Sequence, residues 1–364
     1  MAYQEYTPER PVRRRTADGQ TAAPRKRRRR RRKRIRPDLL ILVGVVLVLI
    51  LALVMPKENQ NPTTPTEEPV VTTQPTTIPP TTIPPTTIPP ETVPPITIPT
   101  SPLTFTEDDY GLLYIRSKSE TKGLSDKSEI VKALERKLSW DLQDPSVTVL
   151  IIHSHISESY TLNENQVPDE SYIFRNEEFR TDDERYNMIA IGKCVAEILQ
   201  DSGINVIHET QTFEVPNYDY AYSTASKYLE ETLKKNPGIC LILDLHRDAI
   251  QNSDGTQWAP TVTVGETTMA KVSILVGYNE SKNTAWNKNL SYAAKLGAQL
   301  NHNVPDIFRM LVIADHKRQY NQNFGPVSVI VEIGTAGNSL EEAMNTAEIV
   351  AKTVAQLAPG ANTK

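Results

Sequence analysis

The sequence predicts an α/β domain with a mainly parallel, helix-covered sheet, preceded by one transmembrane helix and a Pro/Thr-rich tether. Three observations lead to this prediction. In residues 105–364, short β-branched apolar segments alternate with segments of helical spacing. Before them, a Pro/Thr-rich stretch follows an uninterrupted apolar run. The first hundred residues hold too few apolar positions to build a core, so we expect one globular domain, residues 105–364.

The N-terminal tail, residues 1–37, is strongly basic. Its first 36 residues carry 15 Lys or Arg against 3 acidic residues, which leaves the rest of the chain with 25 basic and 41 acidic residues and a net charge of −16. A block of like charge can bind nucleic acid. Because this block lies directly before an apolar segment, we interpret it as the cytoplasmic flank of a membrane anchor, without a nucleic-acid partner.

The apolar segment, Leu39 to Met55, has 17 residues and no charge. As a helix it covers about 25 Å, at the short end of what spans a bilayer. We therefore predict a single-pass signal-anchor at residues 38–56, with the N-terminus cytoplasmic and the globular domain extracytoplasmic at the cell membrane. The alternative is a cleaved secretory signal, which the length of the run and the absence of a small-residue cleavage site disfavour.

Residues 57–104 are predicted to form an extended linker. They are rich in Pro and Thr and contain TTIPP three times, beginning at Thr76, Thr81 and Thr86. Since Pro removes backbone donors, this stretch favours an extended polyproline-like conformation. At about 3.1 Å per residue it could hold the domain up to about 150 Å from the membrane, which suits a protein that reaches the cell wall.

The globular domain shows regular alternation of strands and helices. Strands are predicted at 147–152, 204–207, 240–245, 271–276 and 328–333, and helices at 185–201, 218–235, 284–301 and 340–357. This alternation implies right-handed crossovers and a parallel sheet. Three of the strands lead directly to His or Glu residues, so these side chains should meet at one edge of the sheet.

Those side chains form a candidate zinc site. His246 ends the strand LILDL, His155 stands one turn of loop beyond the first strand, and Glu158 follows three residues later. A catalytic zinc takes three ligands from His, Asp or Glu and leaves a fourth position for water. We predict His155, Glu158 and His246 as the ligands, with His153 supporting them or contacting substrate. The alternative third ligand is an acid within residues 182–184.

Glu332 is the candidate general base. It follows the apolar run VSVIV, and burying a carboxylate is costly unless it is paired or coordinated. We predict that it takes a proton from the attacking water and delivers it to the leaving amine. The alternative is a purely structural ion pair between Glu332 and Arg247.

Several segments occur in the order found in a known family: HSHISESY, NMIAIG, ILDLHRDA, AWNKNLSYAAKLGAQLN, YNQNFGP and VIVEIGTAGNSLEEA. Over about residues 105 to 360 the chain resembles stage II sporulation protein P, a membrane-anchored peptidoglycan hydrolase family. The last segments are also similar to zinc N-acetylmuramoyl-L-alanine amidases, in which a His follows the DLH-like strand and a Glu lies in the VEIG-like strand. His246 and Glu332 match these two positions. The counterpart of the amidases' metal glutamate is Asp183, so the third ligand stays open between Glu158 and Asp183.

The resemblance implies an amidase-like fold, Zn²⁺ as the cofactor and peptidoglycan as the substrate. The reaction would be cleavage of the amide between glycan strand and stem peptide, with or without cross-link cleavage, during septal thinning and engulfment in sporulation. Stage II sporulation proteins D and M would be partners. Arg247, Asp248, Tyr320 and Asn321 match family positions for substrate contact or support of the site. The competing interpretation is an inactive scaffold or regulator that binds peptidoglycan at the cell wall.

Overall fold

The computed structural model describes residues 93, 95–117, 123–138, 140–161, 179–278, 285–314 and 319–362. All of them belong to one compact unit. The predicted basic tail, the signal-anchor and most of the tether lie outside the described residues. Among the residues that are described, no helix is both long and apolar enough to cross a membrane.

The described chain forms nine strands and five α-helices. The strands are β1 (Ile115–Ser117), β2 (Thr148–Ile152), β3 (Val206–His208), β4 (Ile239–Asp248), β5 (Thr261–Val264), β6 (Thr267–Ala270), β7 (Val272–Val276), β8 (Phe308–Ile313) and β9 (Val327–Thr335). The helices are α1 (Lys127–Glu135), α2 (Met188–Asp201), α3 (Ala221–Lys235), α4 (Trp286–Asn303) and α5 (Leu340–Gln356). Every strand and helix predicted above is present, with each boundary within three residues of the prediction. The predicted strands and helices did not include β1, β5, β6, β8 or α1.

Seven strands form the main sheet in the order β1-β8-β7-β9-β4-β2-β3. All neighbours are parallel except β7 and β9, so the prediction of a mainly parallel sheet is confirmed. The exception follows from the short connection before β7. The β5–β6 hairpin brings the chain back to the edge where β9 ends, with Val272 opposite Ile333, so β7 runs back down the sheet without a crossover helix.

The two faces of β4 have different roles. Leu241, Leu243 and Leu245 face the larger core, whereas Ile242 faces a smaller apolar cluster that includes residues of α3. Because side chains alternate along a strand, Asp244 and His246 continue the Ile242 face. Asp244 and His246 therefore lie on the same face of the sheet as the smaller core, at the carboxyl end of β4.

Capping sets where α2 begins. The side chain of Asn187 accepts a hydrogen bond of 2.9 Å from the Ile189 amide, which satisfies one of the free donors at the helix start. Helical spacing in the sequence extends back to Arg185, but that residue pairs with Asp183 in the preceding turn. The helix therefore starts three residues later than its apolar periodicity predicts.

The last part of the predicted tether packs against the domain. Ile96, Ile98 and Leu103 contact the larger core, and the Gln356 amide donates a 3.0 Å hydrogen bond to the Thr97 carbonyl. These contacts stabilise the position of the chain just before Phe105, whose ring is buried.

Candidate active site

The predicted site residues meet where three neighbouring parallel strands end. β9, β4 and β2 lie side by side, His246 is paired with Glu332, and Ile152 is paired with Asp244. The loop after β2 then carries His155 and Glu158 across the end of β4. The structure thus brings His155, Glu158, His246 and Glu332 to one edge of the sheet.

His246 lies between two carboxylates. Its Nε2 is 2.9 Å from Asp244 Oδ1, and its Nδ1 is 3.2 Å from Glu158 Oε2. Burial alone would lower the pKa of His246, but the nearby Asp244 and Glu158 carboxylates outweigh it and hold that pKa well above its usual value. Both ring nitrogens of His246 therefore contact carboxylate oxygens, and Nδ1 is the one that faces Glu158.

Glu158 is buried among cationic groups. Its Oε2 accepts a 3.2 Å hydrogen bond from the Arg247 amide, and its Oε1 is 3.5 Å from the Arg180 guanidinium. Burial raises the pKa of this carboxyl, but Arg247 and His246 outweigh burial and hold it well below its usual value. Asp183, the other candidate for third ligand, instead forms an ion pair with Arg185 at 2.7 Å.

His155 is fixed on three sides. Its Nδ1 donates to Glu214 Oε1 at 3.3 Å, and its ring stacks on Tyr218 with centroids 3.9 Å apart. The His155 and His246 ring centroids are 5.5 Å apart. Because Nδ1 is bonded to Glu214, Nε2 is the ring nitrogen that faces any other partner.

His153 has both ring nitrogens occupied. Nδ1 donates to the Leu245 carbonyl at 3.1 Å, and Nε2 lies 2.9 Å from His208 Nε2. Burial and the neighbouring His208 lower the pKa of His153 to about 3. Since His208 pairs with Ile151 across β3 and β2, its ring is half-buried against His153.

Glu332 has a buried oxygen without a partner. Its Oε2 makes no hydrogen bond to any described residue and has essentially no exposure to solvent. Burial, with the nearby Asp248 carboxylate, raises the pKa of Glu332 to about 8. The alternative ion pair with Arg247 is not formed. The Arg247 guanidinium donates instead to the carbonyls of Ser159 and Phe179, at 2.9 and 2.8 Å.

The remaining predicted residues, Asp248, Tyr320 and Asn321, have partners outside the histidine–carboxylate cluster. Asp248 forms an ion pair with Arg309. Tyr320 and Asn321 both have positive φ, 49° and 56°, a conformation that costs on the order of 1 kcal/mol for non-glycine residues. The Asn321 amide donates to the Tyr222 carbonyl at 2.8 Å, and the Tyr320 and Tyr222 rings are 5.4 Å apart.

The donor set fits zinc in its chemistry, although no group of three His, Cys, Asp or Glu side chains within the described residues is arranged around one metal position. His155 contacts a carboxylate through one ring nitrogen and His246 contacts one through each, and a carboxylate on the nitrogen that does not face the metal is typical of zinc-binding histidines. The 3.2 Å between His246 Nδ1 and Glu158 Oε2 is close to the roughly 3.3 Å that separates two ligand atoms at tetrahedral zinc.

Reasoning from sequence missed the residues that orient the candidate ligands. Asp244 was detectable, because it lies two residues before His246 and therefore on the same face of β4. Glu214, Arg180, Tyr218 and Tyr222 come from loops and the start of α3, and no periodic pattern marks them. Arg180 Nη1 donates to Glu214 at 3.1 Å, and its guanidinium lies 4.1 Å from the Tyr218 ring centroid.

The fold and the site define a mixed α/β protein with a buried histidine–carboxylate cluster at the carboxyl edge of its parallel strands. The chain belongs to the stage II sporulation protein P family, whose model matches residues 108–355. Stage II sporulation protein P of Bacillus subtilis (strain 168) is 24% identical over 220 residues. That match covers 57% of this chain and 50% of the relative, so it spans half of the relative's length.

Solved amidases show weaker likeness. N-acetylmuramoyl-L-alanine amidase AmiC2 of Nostoc punctiforme is 14% identical, with a TM-score of 0.34, covering 57% of this chain and 95% of its own. The CwlD amidase from Clostridioides difficile, solved in complex with the GerS lipoprotein, is 13% identical, with a TM-score of 0.34 and coverage of 58% and 94%.

Proposed function

We propose that this protein is a membrane-anchored, zinc-dependent peptidoglycan hydrolase that acts in sporulation as an N-acetylmuramoyl-L-alanine amidase. Membership of the stage II sporulation protein P family supports a role in sporulation. The observation that carries the chemistry is Glu332, a buried carboxylate oxygen without a partner, on the strand beside His246. A structural carboxylate would be paired, whereas a general base needs a free oxygen that faces the reacting atoms.

The residues proposed to hold zinc are His155, Glu158 and His246. When bound, zinc would polarise the scissile carbonyl and activate water near neutral pH. Asp244 and Glu214 would orient the two imidazoles by accepting hydrogen bonds from the ring nitrogens that do not face zinc.

Glu332 performs the proton transfers in this proposal. In its ionised form, Glu332 accepts a proton from the attacking water at Oε2 and then delivers it to the nitrogen of the leaving L-alanine, so that the carbon–nitrogen bond breaks and a free amine leaves. Tyr218 and Tyr222 shield the cluster from bulk solvent, because both lie against its histidines. Arg247 stabilises Glu158 in its charged form.

The direct test is digestion of purified cell wall by the full chain. Amidase activity releases stem peptides with a new amino group on L-alanine, whereas cross-link cleavage exposes an amine on the diamino acid. Mass analysis of the products separates the two. If wild-type protein binds wall but releases no stem peptide, the scaffold interpretation replaces the enzyme.

The identity of the third ligand is tested by zinc content. Glu158→Ala should lower zinc affinity roughly 10-fold or more, because Glu158 contacts His246 directly. Asp183→Ala should leave zinc affinity unchanged, since Asp183 pairs with Arg185. The reverse outcome would assign the ligand to Asp183.

Topology and partners also belong to the proposal. The basic tail would stay in the cytoplasm, residues 38–56 would cross the membrane, and the tether would carry the domain outside. Stage II sporulation proteins D and M would be its partners, which rests on family membership alone.

A further inference from the structure

A second cleft lies at the opposite edge of the sheet from the histidines. It has a volume of about 510 Å³ and lies where β4 and β9 begin, between the end of α1, the end of α3 and the start of α4. From Ile239, at this edge, to His246 the strand covers about 23 Å, at roughly 3.3 Å per residue. The cleft is therefore separate from the candidate active site.

The cleft is cationic in an otherwise acidic part of the chain. Arg136, Lys137 and Lys288 line it, and none of the described residues that line it is acidic. None of these three cations forms an ion pair within the described part of the chain. Residues 37–364 carry a net charge of −16. The lining of the cleft therefore has the opposite charge to the rest of this part of the chain.

Helix dipoles account for two of the cations but not for the third. Arg136 and Lys137 follow the end of α1, where positive charge is favourable. Lys288 lies in the first turn of α4, where positive charge is unfavourable, and that turn contains no acidic residue. An anion bound in the cleft would be stabilised by both Lys288 and the start of α4.

Two aromatic rings give the cleft flat apolar walls. Trp140 and Phe324 line it and are both half-buried. Trp140 is held rigidly, because its Nε1 donates to the Leu357 carbonyl at 3.1 Å and its ring packs edge-on against Tyr292 at 5.3 Å. A rigid ring beside polar groups is typical of sites that bind a ring-shaped, partly polar ligand.

We propose that this cleft is a second binding site for peptidoglycan, which takes the sugar rings on its aromatic walls and carboxylates on its cations. The proposal rests on the proposed function, since it assumes a wall substrate. The cleft would hold one part of the wall while the residues at the histidine edge cleave another part. The cleft is a concave site between the ends of three helices, and this shape favours a narrow polymer over a flat membrane surface.

The test uses the full chain carrying Glu332→Gln, so that the wall is not digested during binding. Lys137→Glu with Lys288→Glu reverses two exposed cations of the cleft. The control, Lys193→Glu with Lys227→Glu, changes net charge equally at exposed helix positions elsewhere. We expect the cleft variant to bind purified sacculi about tenfold more weakly at low salt, with the control within about twofold of the parent.

Further arms distinguish the possible ligands. The parent protein should bind sacculi with amidated carboxyl groups weakly. Its affinity for them should be about that of the cleft variant for untreated sacculi. Equal sacculus binding by the cleft and control variants overturns the proposal. It is also overturned if the cleft variant loses binding to phosphatidylglycerol vesicles and retains binding to sacculi.

A final comparison separates this proposal from the proposed function. With Glu332 intact, the cleft variant should hydrolyse a short soluble muropeptide at the wild-type rate but digest intact sacculi more slowly. If wild-type protein cleaves neither substrate while the cleft variant still loses sacculus binding, the enzyme assignment fails and the binding site stands.

Discussion

Glu214 should control the orientation of His155, and Glu214→Gln tests this most sharply. One oxygen of Glu214 accepts from His155 Nδ1 and from Arg180, at 3.3 and 3.1 Å, and the other accepts from the Ser157 amide at 3.2 Å. All three partners are donors. Gln has one acceptor oxygen, so its NH₂ group must face at least one of these donors.

The expected cost has two parts. Losing a hydrogen bond to a charged, buried acceptor should lower the free energy of unfolding by about 1–3 kcal/mol. Freeing the Nδ1 proton of His155 should lower zinc affinity roughly 10- to 100-fold, the usual effect of removing a carboxylate from a zinc-binding histidine. The same change at the exposed Glu231 should do neither.

Two measurements distinguish orientation from simple destabilisation. Competition with a chelator gives the zinc dissociation constant, and ¹⁵N shifts of the His155 ring in the metal-free protein report its tautomer. We expect Nδ1-protonated His155 in wild type and a mixture in Glu214→Gln. If the variant loses stability but keeps both the tautomer and the zinc affinity, Glu214 is only structural and the reasoning is refuted.

Other expectations follow from single contacts. Asp244→Ala should lower the free energy of unfolding by about 3–5 kcal/mol in a urea titration, because the Ser154 amide, the Ser154 hydroxyl and His246 Nε2 would lose their buried acceptor. A loss of less than about 1 kcal/mol would contradict this. Gly192→Ala should lower the free energy of unfolding by about 1–3 kcal/mol, since the added Cβ would lie 2.4 Å from His153 Nε2. The control is Gly111→Ala, whose added Cβ meets nothing within 4 Å. Equal effects of the two changes would show that the rings of His153 and His208 move aside without cost. External protease on protoplasts should remove the acidic domain and spare the basic tail, and protection of the domain would reverse the proposed orientation.

The parts of the fold that sequence could predict are those with strong local periodicity. β2, β4 and β9 are buried β-branched runs, and their polar ends mark the edge where the histidines and Glu332 meet. β8 was missed because it is only partly buried and contains Arg309, so it lacks a continuous apolar run. The direction of β7 was also out of reach, since periodicity locates a strand but does not orient it.

The candidate active site likewise contains residues that sequence could predict and residues that it could not. His246 and Glu332 were evident because each follows a buried strand. Glu214 and Arg180 reach the cluster from loops far along the chain, and only tertiary packing brings them to His155 and Glu158. His208 is in the same position, because no local pattern marks it and only the pairing of β3 with β2 places its ring against that of His153.

The central claim is that Glu332 moves protons at a zinc site formed by His155, Glu158 and His246. It is tested most directly by measuring zinc content and wall digestion together for wild type, Glu332→Gln and His246→Ala. The account predicts one zinc per wild-type chain, unchanged zinc with hydrolysis lowered roughly 10²- to 10⁴-fold in Glu332→Gln, and loss of zinc in His246→Ala. Wild-type digestion without zinc, or full hydrolysis by Glu332→Gln, would contradict it.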